Sequence, residues 1–450
     1  MRTPHIRPSQ VVMGLAVAAT LAITACSSSK KDSSSGGGTG GGGSLSGQTI
    51  TYWASNQAPT VAQDAQVLQP ELDKFKEQTG VTVKLQVIDW AHLQNKILAA
   101  TTSGQGPDVL NIGNTWAPSL QATGAFMPFD ASAFAAIGGK DQFVASSLAT
   151  GGVPGQDPTS VPLYGLAYGL YYNKAMFQAK GLQPPASWQD VVSDAKALTD
   201  PSKNVYGMAL EGGSYTENVH FAFIFGQQNG GDLFDGDKPT FTSPGVVAGI
   251  KQYIDLMASD KVVNPSNAQY SKGPEAVTDF AKGTAAMVMS QNNADVSIQQ
   301  SGMKAGDYGV VAIPAPNPVP AGGKDIGTFP AGINLSIFKN SKHIAADEAF
   351  VKFMTSAAEQ QTLGKAFTTL PINTAATATW TTDTAEAQVF KDALATKSAP
   401  LPLTKNEAAM ETAVGQAITP LIAKAATGSN VSDDDIKSAM EDAQAKMPAS

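Results

Sequence analysis

Residues 48–112 read QTITYWASNQAPTVAQDAQVLQPELDKFKEQTGVTVKLQVIDWAHLQNKILAATTSGQGPDVLNI and decide the fold. Thr49 to Trp53 and Val81 to Ile88 alternate apolar and polar residues, which is typical of strands, and Pro107 to Ile112 forms a third, shorter strand pattern. Apolar residues at helical spacing separate these strands, and Gly80 follows the first helix where a C-cap is expected. This order predicts an α/β lobe with mainly parallel strands.

A second series of elements begins at Val161. VPLYGLAYGLYYNK, residues 161–174, is extended, and Ser187 with Asp190 has the spacing of a capping box. Further strands are predicted at 285–289 and 333–338, and helices at 346–363, 405–426 and 432–446. The acidic run after Ser432 is explained by its place in the first turn of a helix, where it compensates the dipole.

The N-terminus predicts a lipoprotein signal. Arg2 and Arg7 precede an uncharged run of 15 residues, Val11 to Ala25, which is shorter than the roughly 20 residues of a bilayer span. The run ends in Ile-Thr-Ala before Cys26, the only cysteine in the chain, and resembles a lipobox. Residues 1–25 are therefore the predicted signal peptide, and Cys26 the predicted lipidation site. A plain signal peptide or a retained membrane anchor is the alternative.

Composition restricts the remaining possibilities. Residues 26–47 are rich in Gly and Ser and predict a flexible tether. The body that follows has about 400 residues and no cysteine, so we expect two lobes that are stable through their cores alone. The formal charge of −8 becomes −10 once Arg2 and Arg7 leave with the signal, which argues against a nucleic-acid partner.

Six stretches in order resemble the carbohydrate-binding, maltose-binding-protein-like family of extracellular solute-binding proteins of ABC importers. The most specific is Val161 to Thr199, where Tyr-Asn-Lys is followed by Pro and Ser-Trp. The other five are GQGPDVLNIGNTW (104–116), LQATGAFMPFD (120–130), FGQQNGGDLFD (225–235), FAKGTAAMVMS (280–290) and PAGINLSIFKNSKHIAADEAFVKFMTS (330–356).

The resemblance implies two α/β lobes joined by a hinge, with a ligand cleft between them. Lobe one would comprise 48–161 plus 326–371, and lobe two 162–325 plus 372–450. The protein would act as a monomer on the outer face of the cell membrane, anchored only by its lipid. It would capture a mono- or oligosaccharide and deliver it to ABC permease subunits, with no cofactor, no metal and no catalysis.

The resemblance also places ligand contacts on the loops that follow the strands. In lobe one they are Ser55, Asn56, Gln57, Trp90, Asn114, Thr115 and Trp116. Trp53 and Trp90 could instead be core residues, and Asp89 an N-cap. Asp108 is interpreted as structural.

In lobe two the predicted contacts are Tyr164, Tyr215, Glu217, Asn218, Asn292, Asn293 and Asn406, and Phe329 is a further predicted contact. The family's acid two residues after Tyr164 is replaced by Leu166, which argues against a maltodextrin. Its stacking Gly-Trp pair is replaced by Asn292 and Asn293, so Phe329 is a candidate substitute. His220 is assigned to a helix surface or to the core, and Trp188 to the core.

Two other functions compete with sugar capture. The same fold could bind a peptide, a polyol phosphate or a chelate, although no arginine lies near the candidate loops. A lipid-anchored glycosidase would need paired carboxylates such as Asp89 and Glu217. Nucleophile-elbow, HExxH and Walker motifs do not occur in the sequence, and DLFDGD at 232–237 lacks the spacing of an EF-hand.

Overall fold

The computed structural model describes residues 45–271, 274–378 and 384–448. Cys26, the predicted signal peptide and most of the predicted tether lie outside these residues. Within them no helix is long and apolar enough to cross a membrane. The described body contains two main sheets, each covered by helices, as the sequence predicts.

The strands and helices have the following bounds. The strands are β1 Thr49–Ser55, β2 Thr82–Ile88, β3 Val109–Gly113, β4 Val161–Leu166, β5 Tyr168–Asn173, β6 Phe234–Asp235, β7 Lys238–Pro239, β8 Met287–Gln291, β9 Tyr308–Val311 and β10 Ala331–Ile337. The helices are α1 Val61–Thr79, α2 Trp90–Ser103, α3 Ala117–Ala122, α4 Ala131–Ala136, α5 Ala145–Leu148, α6 Lys174–Ala179, α7 Trp188–Leu198, α8 Tyr215–Gln228, α9 Pro244–Ala258, α10 Pro274–Ala281, α11 Ala294–Gln300, α12 Ile344–Met354, α13 Ala357–Phe367, α14 Thr384–Thr396, α15 Glu407–Ala426 and α16 Asp433–Ala445.

The first sheet has the strand order β2-β1-β3-β10-β4. β1 pairs in parallel with β2 and β3, whereas β10 runs antiparallel to both β3 and β4. The sheet is therefore mainly parallel, as predicted. Because β1, β2 and β3 run in the same direction, the loops that follow them meet at one edge of the sheet.

The second sheet is smaller, with β5 between β8 and β9 and both pairings antiparallel. Helices α8, α9 and α15 pack against one another beside it. The chain passes from one sheet to the other at Ala167, between β4 and β5. β4, which ends at Leu166, therefore belongs to the first sheet, and β5 belongs to the second. The lobe boundaries proposed from sequence remain a prediction.

Short-range sequence signals determine several helix ends. Ser187 and Asp190 form a capping box at the start of α7, as predicted, and Ser432 with Asp435 does the same for α16. Gly80 ends α1 in the left-handed conformation, at φ 75°. The helix predicted over 346–363 is two helices, α12 and α13, because Ser356 caps a new one.

Candidate functional site

The loop after β1 is held by a buried carboxylate. Both oxygens of Asp64 accept backbone N–H groups, from Gln57 and Ala58 at 2.8 Å each. Burial raises the pKa of Asp64 to about 7, and these two hydrogen bonds limit the rise. The loop presents Asn56, whose carbonyl accepts the indole N–H of Trp90 at 2.9 Å. The buried side-chain oxygen of Asn56 has no hydrogen-bond partner among the described residues.

The loop after β3 carries a buried tryptophan, Trp116. Trp116 is 3 % exposed and contacts Trp90 edge to face, with ring centroids 5.4 Å apart. Its indole N–H donates to Oε2 of Glu411 at 2.8 Å. Glu411 lies on α15, which packs beside the second sheet, so this bond joins the two halves of the body.

Glu411 belongs to a buried chain of hydrogen bonds. The hydroxyl of Tyr168 donates to Glu217 at 2.8 Å and lies 2.8 Å from Nδ1 of His220. Nε2 of His220 lies 3.4 Å from Oε1 of Glu411. Burial raises the pKa of Glu217, and its contacts with His220 and Tyr168 reduce that rise. The chain thus connects a carboxyl on α8 with another on α15 through a tyrosine and an imidazole.

Two carboxyls share the first turns of α15. Glu407 and Glu411 are both 0 % exposed, and the hydrogen bond between their side chains requires one of the two carboxyls to hold a proton. Burial and the neighbouring Glu411 raise the pKa of Glu407 well above its usual value. Burial also tends to raise the pKa of Glu411. The hydrogen bonds of Glu411 with His220, Glu407 and Thr115 outweigh the effect of burial and lower this pKa.

A second contact joins the two halves near these acids. The hydroxyl of Tyr215, at the start of α8, donates to Oε1 of Gln94 on α2 at 3.3 Å. The side-chain nitrogen of Gln94 is buried without a partner among the described residues. We define the cleft cluster as Asn56, Trp90, Gln94, Thr115, Trp116, Tyr168, Tyr215, Glu217, His220, Glu407 and Glu411. Some of these residues lie on the loops after β1 and β3, and the others lie on β5, α2, α8 and α15.

The structure gives several predicted contact residues roles inside the fold. The amide of Asn292 accepts from the backbone N–H of Ala167 at 2.7 Å and donates to the carbonyl of Thr368 at 2.6 Å. Asn114 donates to the carbonyl of Pro330. Asn218 donates to Gly212 and Thr419. Their amide nitrogens are therefore already paired without a ligand.

The remaining predicted contacts are not members of the cleft cluster. Ser55 accepts from Gln57 and Asn111, and Tyr164 packs on Phe367 in the core of the first sheet. Phe329 is 1 % exposed, with its ring 4.8 Å from that of His220. Asn293 is partly buried, and Asn406 is the residue before α15.

Other side chains singled out in the sequence are structural. Trp188 packs edge to face on Phe225, as assigned, and Asp108 accepts both the N–H and the hydroxyl of Thr51. Asp89 precedes α2 without capping it and pairs with His92 at 2.6 Å. The described residues hold no cluster of three or more acids, histidines or cysteines that could bind a metal ion.

Sequence reasoning missed Glu411, Gln94 and Tyr168. A signal for the first was present, because Glu407 and Glu411 stand four residues apart on the same face as Met410 and Val414, both of which are buried. Two acids on the apolar side of a helix require a partner or a ligand. The sequence predicts a helix-surface or core role for His220, and the structure shows it buried, with hydrogen-bond partners within the cleft cluster.

The arrangement is suited to binding a polyhydroxylated molecule. Indole rings offer flat apolar surfaces, while carboxyl and amide groups with unpaired atoms accept or donate hydrogen bonds. A molecule held here would contact loops of the first sheet and helices of the second at once. Such two-sided contact is what drives closure of two lobes around a ligand.

Known proteins share this architecture. A putative binding protein of Brucella abortus is 25 % identical over 63 % of this chain and 68 % of its own length. The diacetylchitobiose binding protein DasA of Streptomyces coelicolor is 25 % identical over 72 % of this chain and 73 % of its own. A solved ABC transporter solute-binding protein of Thermotoga lettingae, bound with alpha-D-tagatose, superposes with a TM-score of 0.77 at 21 % identity, over 89 % of this chain and 99 % of that one.

The family model for bacterial extracellular solute-binding proteins matches residues 58–361. That range spans most of the first sheet, the whole second sheet and helices α1 to α12, and it includes both Trp116 and His220. The chain belongs to the bacterial extracellular solute-binding protein family.

Proposed function

We propose that this protein captures a sugar or polyol in the cleft cluster and delivers it to the permease of an ABC importer. The observation that carries the proposal is the buried contact between Trp116, on a loop of the first sheet, and Glu411, on a helix of the second. A binding site that closes on its ligand needs groups from both lobes that meet in the closed form. The Streptomyces relative is a diacetylchitobiose binding protein and the Thermotoga protein was solved bound with alpha-D-tagatose, which supports a carbohydrate ligand.

We assign ligand contact to residues of the cleft cluster that lie on the loops after β1 and β3 and in the first two turns of α2, α8 and α15. These are Asn56, Trp90, Gln94, Thr115, Trp116, Tyr215, Glu217 and Glu407. Asn114, Asn218 and Asn292 are left out because the fold already uses their amides, and Tyr164 because it lies in the core. Since the family consists of binding proteins, we infer that the captured molecule leaves unchanged.

We further propose that Cys26 carries a lipid that retains the protein at the outer face of the cell membrane. The support is the sequence Ile-Thr-Ala-Cys at the end of an uncharged run, followed by the Gly/Ser-rich stretch. A binding protein is useful to a permease only if it stays near it, and anchoring provides that proximity.

The decisive experiment is a ligand screen of the purified protein by thermal shift and calorimetry, over neutral sugars, polyols, amino acids, peptides and metal chelates. Bound sugar should raise the melting temperature by mass action. Trp116→Ala should abolish the shift, because it removes an aromatic face and leaves Glu411 without that donor. Glu77→Ala, on an exposed part of α1, is the matched control and should bind as the wild type does. Hits confined to amino acids, peptides or chelates would contradict the proposal.

A further inference from the structure

Ser119, on α3, contacts the first turn of α15. Its hydroxyl accepts the backbone N–H of Ala408 at 3.0 Å and donates to the carbonyl of Lys405 at 2.8 Å. Ala408 is the second residue of α15. A serine oxygen that accepts the N–H of the second helical residue is the usual N-cap arrangement, but this serine lies 289 residues away in sequence. Ser119 therefore caps α15 from another part of the fold.

The residue that ordinarily caps a helix does not cap α15. Asn406 directly precedes the helix, and its side chain makes no capping hydrogen bond to it. The first four N–H groups of an α-helix have no partner within the helix and need one elsewhere. The N–H of Glu407 is bonded to the carbonyl of Thr404, and that of Ala408 to Ser119. The start of α15 thus depends on a side chain of α3 for one of these partners.

This cap crosses between the two halves of the body. α3 follows β3 of the first sheet, whereas α15 packs against α8 and α9 beside the second sheet. The hydrogen bond from Trp116 to Glu411 joins the same two regions. Trp116 and Ser119 are three residues apart, as are Ala408 and Glu411, so the two bonds lie about one helical turn apart. Separation of the halves would break both bonds.

We propose that Ser119 stabilises the closed arrangement of the two halves, because it caps α15 only while they are in contact. It is a positioning residue: the cap holds the first turns of α15, and with them Glu411, against Trp116. The free protein then populates its closed form, and a larger closed population raises the apparent affinity for every ligand that binds this form. This inference rests on the closure included in the proposed function, but not on the identity of the captured molecule.

The expected size of the effect follows from the energetics of helix caps. When the halves separate, water replaces Ser119 as the partner of the Ala408 N–H, so only the net contribution of a cap is lost. Replacement of an N-cap serine by alanine corresponds to roughly a fivefold change in an equilibrium constant. Ser119→Ala should lower the ratio of closed to open protein by that factor. Because Ser119 is only partly buried and alanine favours helices, α3 should form as before.

Solvent exchange of the tryptophan indole N–H groups, followed by NMR on the purified protein without ligand, tests the proposal. The indole N–H of Trp116 is bonded to Glu411 across the two halves, whereas that of Trp90 is bonded to Asn56 within the first half. Opening therefore exposes the first N–H and leaves the second bonded. Ser119→Ala should accelerate exchange at Trp116 roughly fivefold and leave exchange at Trp90 unchanged. Ser119→Thr keeps the hydroxyl and should restore the slower rate.

Ser187→Ala is the matched control, because it removes the capping box of α7, which follows β5 in the second half. It should lower the melting temperature without faster exchange at Trp116. Equal exchange in the wild type and Ser119→Ala, or exchange at Trp116 of the wild type as fast as in free tryptophan, would overturn the inference. Equal acceleration by Ser187→Ala would assign the exchange to unfolding and overturn it as well. These results are independent of the ligand screen, so the proposed function would stand.

Discussion

At the scale of single residues, the carboxyl of Asp64 positions the loop after β1 and makes the stability of the fold depend on pH. It is fully buried and accepts the N–H groups of Gln57 and Ala58, next to Asn56. Its folded-state pKa of about 7 lies above the ordinary value of 3.8. Between these two values the folded protein holds a proton that the unfolded chain releases, so stability falls as pH rises.

We therefore expect the wild-type protein to lose stability relative to Asp64→Asn as pH rises from about 4 to about 7, with the full loss present above that range. Since one pKa unit corresponds to about 1.4 kcal/mol, the loss cannot exceed about 4 kcal/mol. Thermal unfolding of both proteins without ligand, in a series of buffers, measures the difference.

Asp347 and Glu359 also have pKa values raised to about 7 by burial. They are present in both proteins, so the difference between wild type and Asp64→Asn isolates Asp64. Stability curves that stay parallel across the pH range would show that the carboxyl of Asp64 has an ordinary pKa in the folded state.

At the scale of elements, local signals were sufficient for most of the first sheet. The alternation in β1 and β2 and the capping box of α7 depend only on neighbours in sequence, and all appear in the structure as predicted. The break between α12 and α13 was missed because Ser356 caps a helix within a continuous apolar pattern.

The candidate site was harder to predict because its contacts are non-local. Trp116 and Glu411 are 295 residues apart in sequence, and nothing near either residue indicates the other. The resemblance predicted the loop with Trp116, and Tyr215 and Glu217 at the start of α8. It did not predict which asparagine amides form hydrogen bonds within the fold, since the sequence does not distinguish Asn292 from Asn293.

Asn292 and Asn293, the two residues after β8, should differ in the effect of their substitution on stability. Asn292 pairs with the backbone of Ala167 and Thr368, and thereby ties together two segments that connect the sheets. Asn292→Ala should lower the free energy of unfolding by about 2–4 kcal/mol, because it leaves a buried N–H and a buried carbonyl without these partners. Urea unfolding without ligand is the measurement.

Asn293→Ala is the matched control. Its side chain makes no capping hydrogen bond to α11 and is partly exposed, so the change should stay within about 0.5 kcal/mol. Equal destabilisation by the two substitutions would contradict the role assigned to Asn292.

At the scale of the whole molecule, we expect binding and retention to be separable. The cleft cluster lies within the described residues, and Cys26 does not belong to them. Cys26→Ser should move the protein from the membrane fraction to the soluble extracytoplasmic fraction, while its affinity for ligand stays at the wild-type value. Fractionation of cells, followed by calorimetry on the recovered protein, measures both properties.

The full-length wild type, extracted in detergent, is the control for affinity. Retention of Cys26→Ser in the membrane fraction would argue for an uncleaved anchor in place of a lipid. Loss of ligand binding in the variant would contradict the separation of the two functions.

Strand β1 has a consequence for how the protein can be used on a surface. Its first residue, Thr49, lies two positions after Gly47, whose N–H donates to the carbonyl of Gly80. Its last residue, Ser55, is followed by Asn56 of the cleft cluster. A strand of this length separates its ends by roughly 20 Å. Attachment of the protein to a sensor chip at Ser46 or Gly47, which are exposed, would therefore leave the cleft cluster open to the analyte.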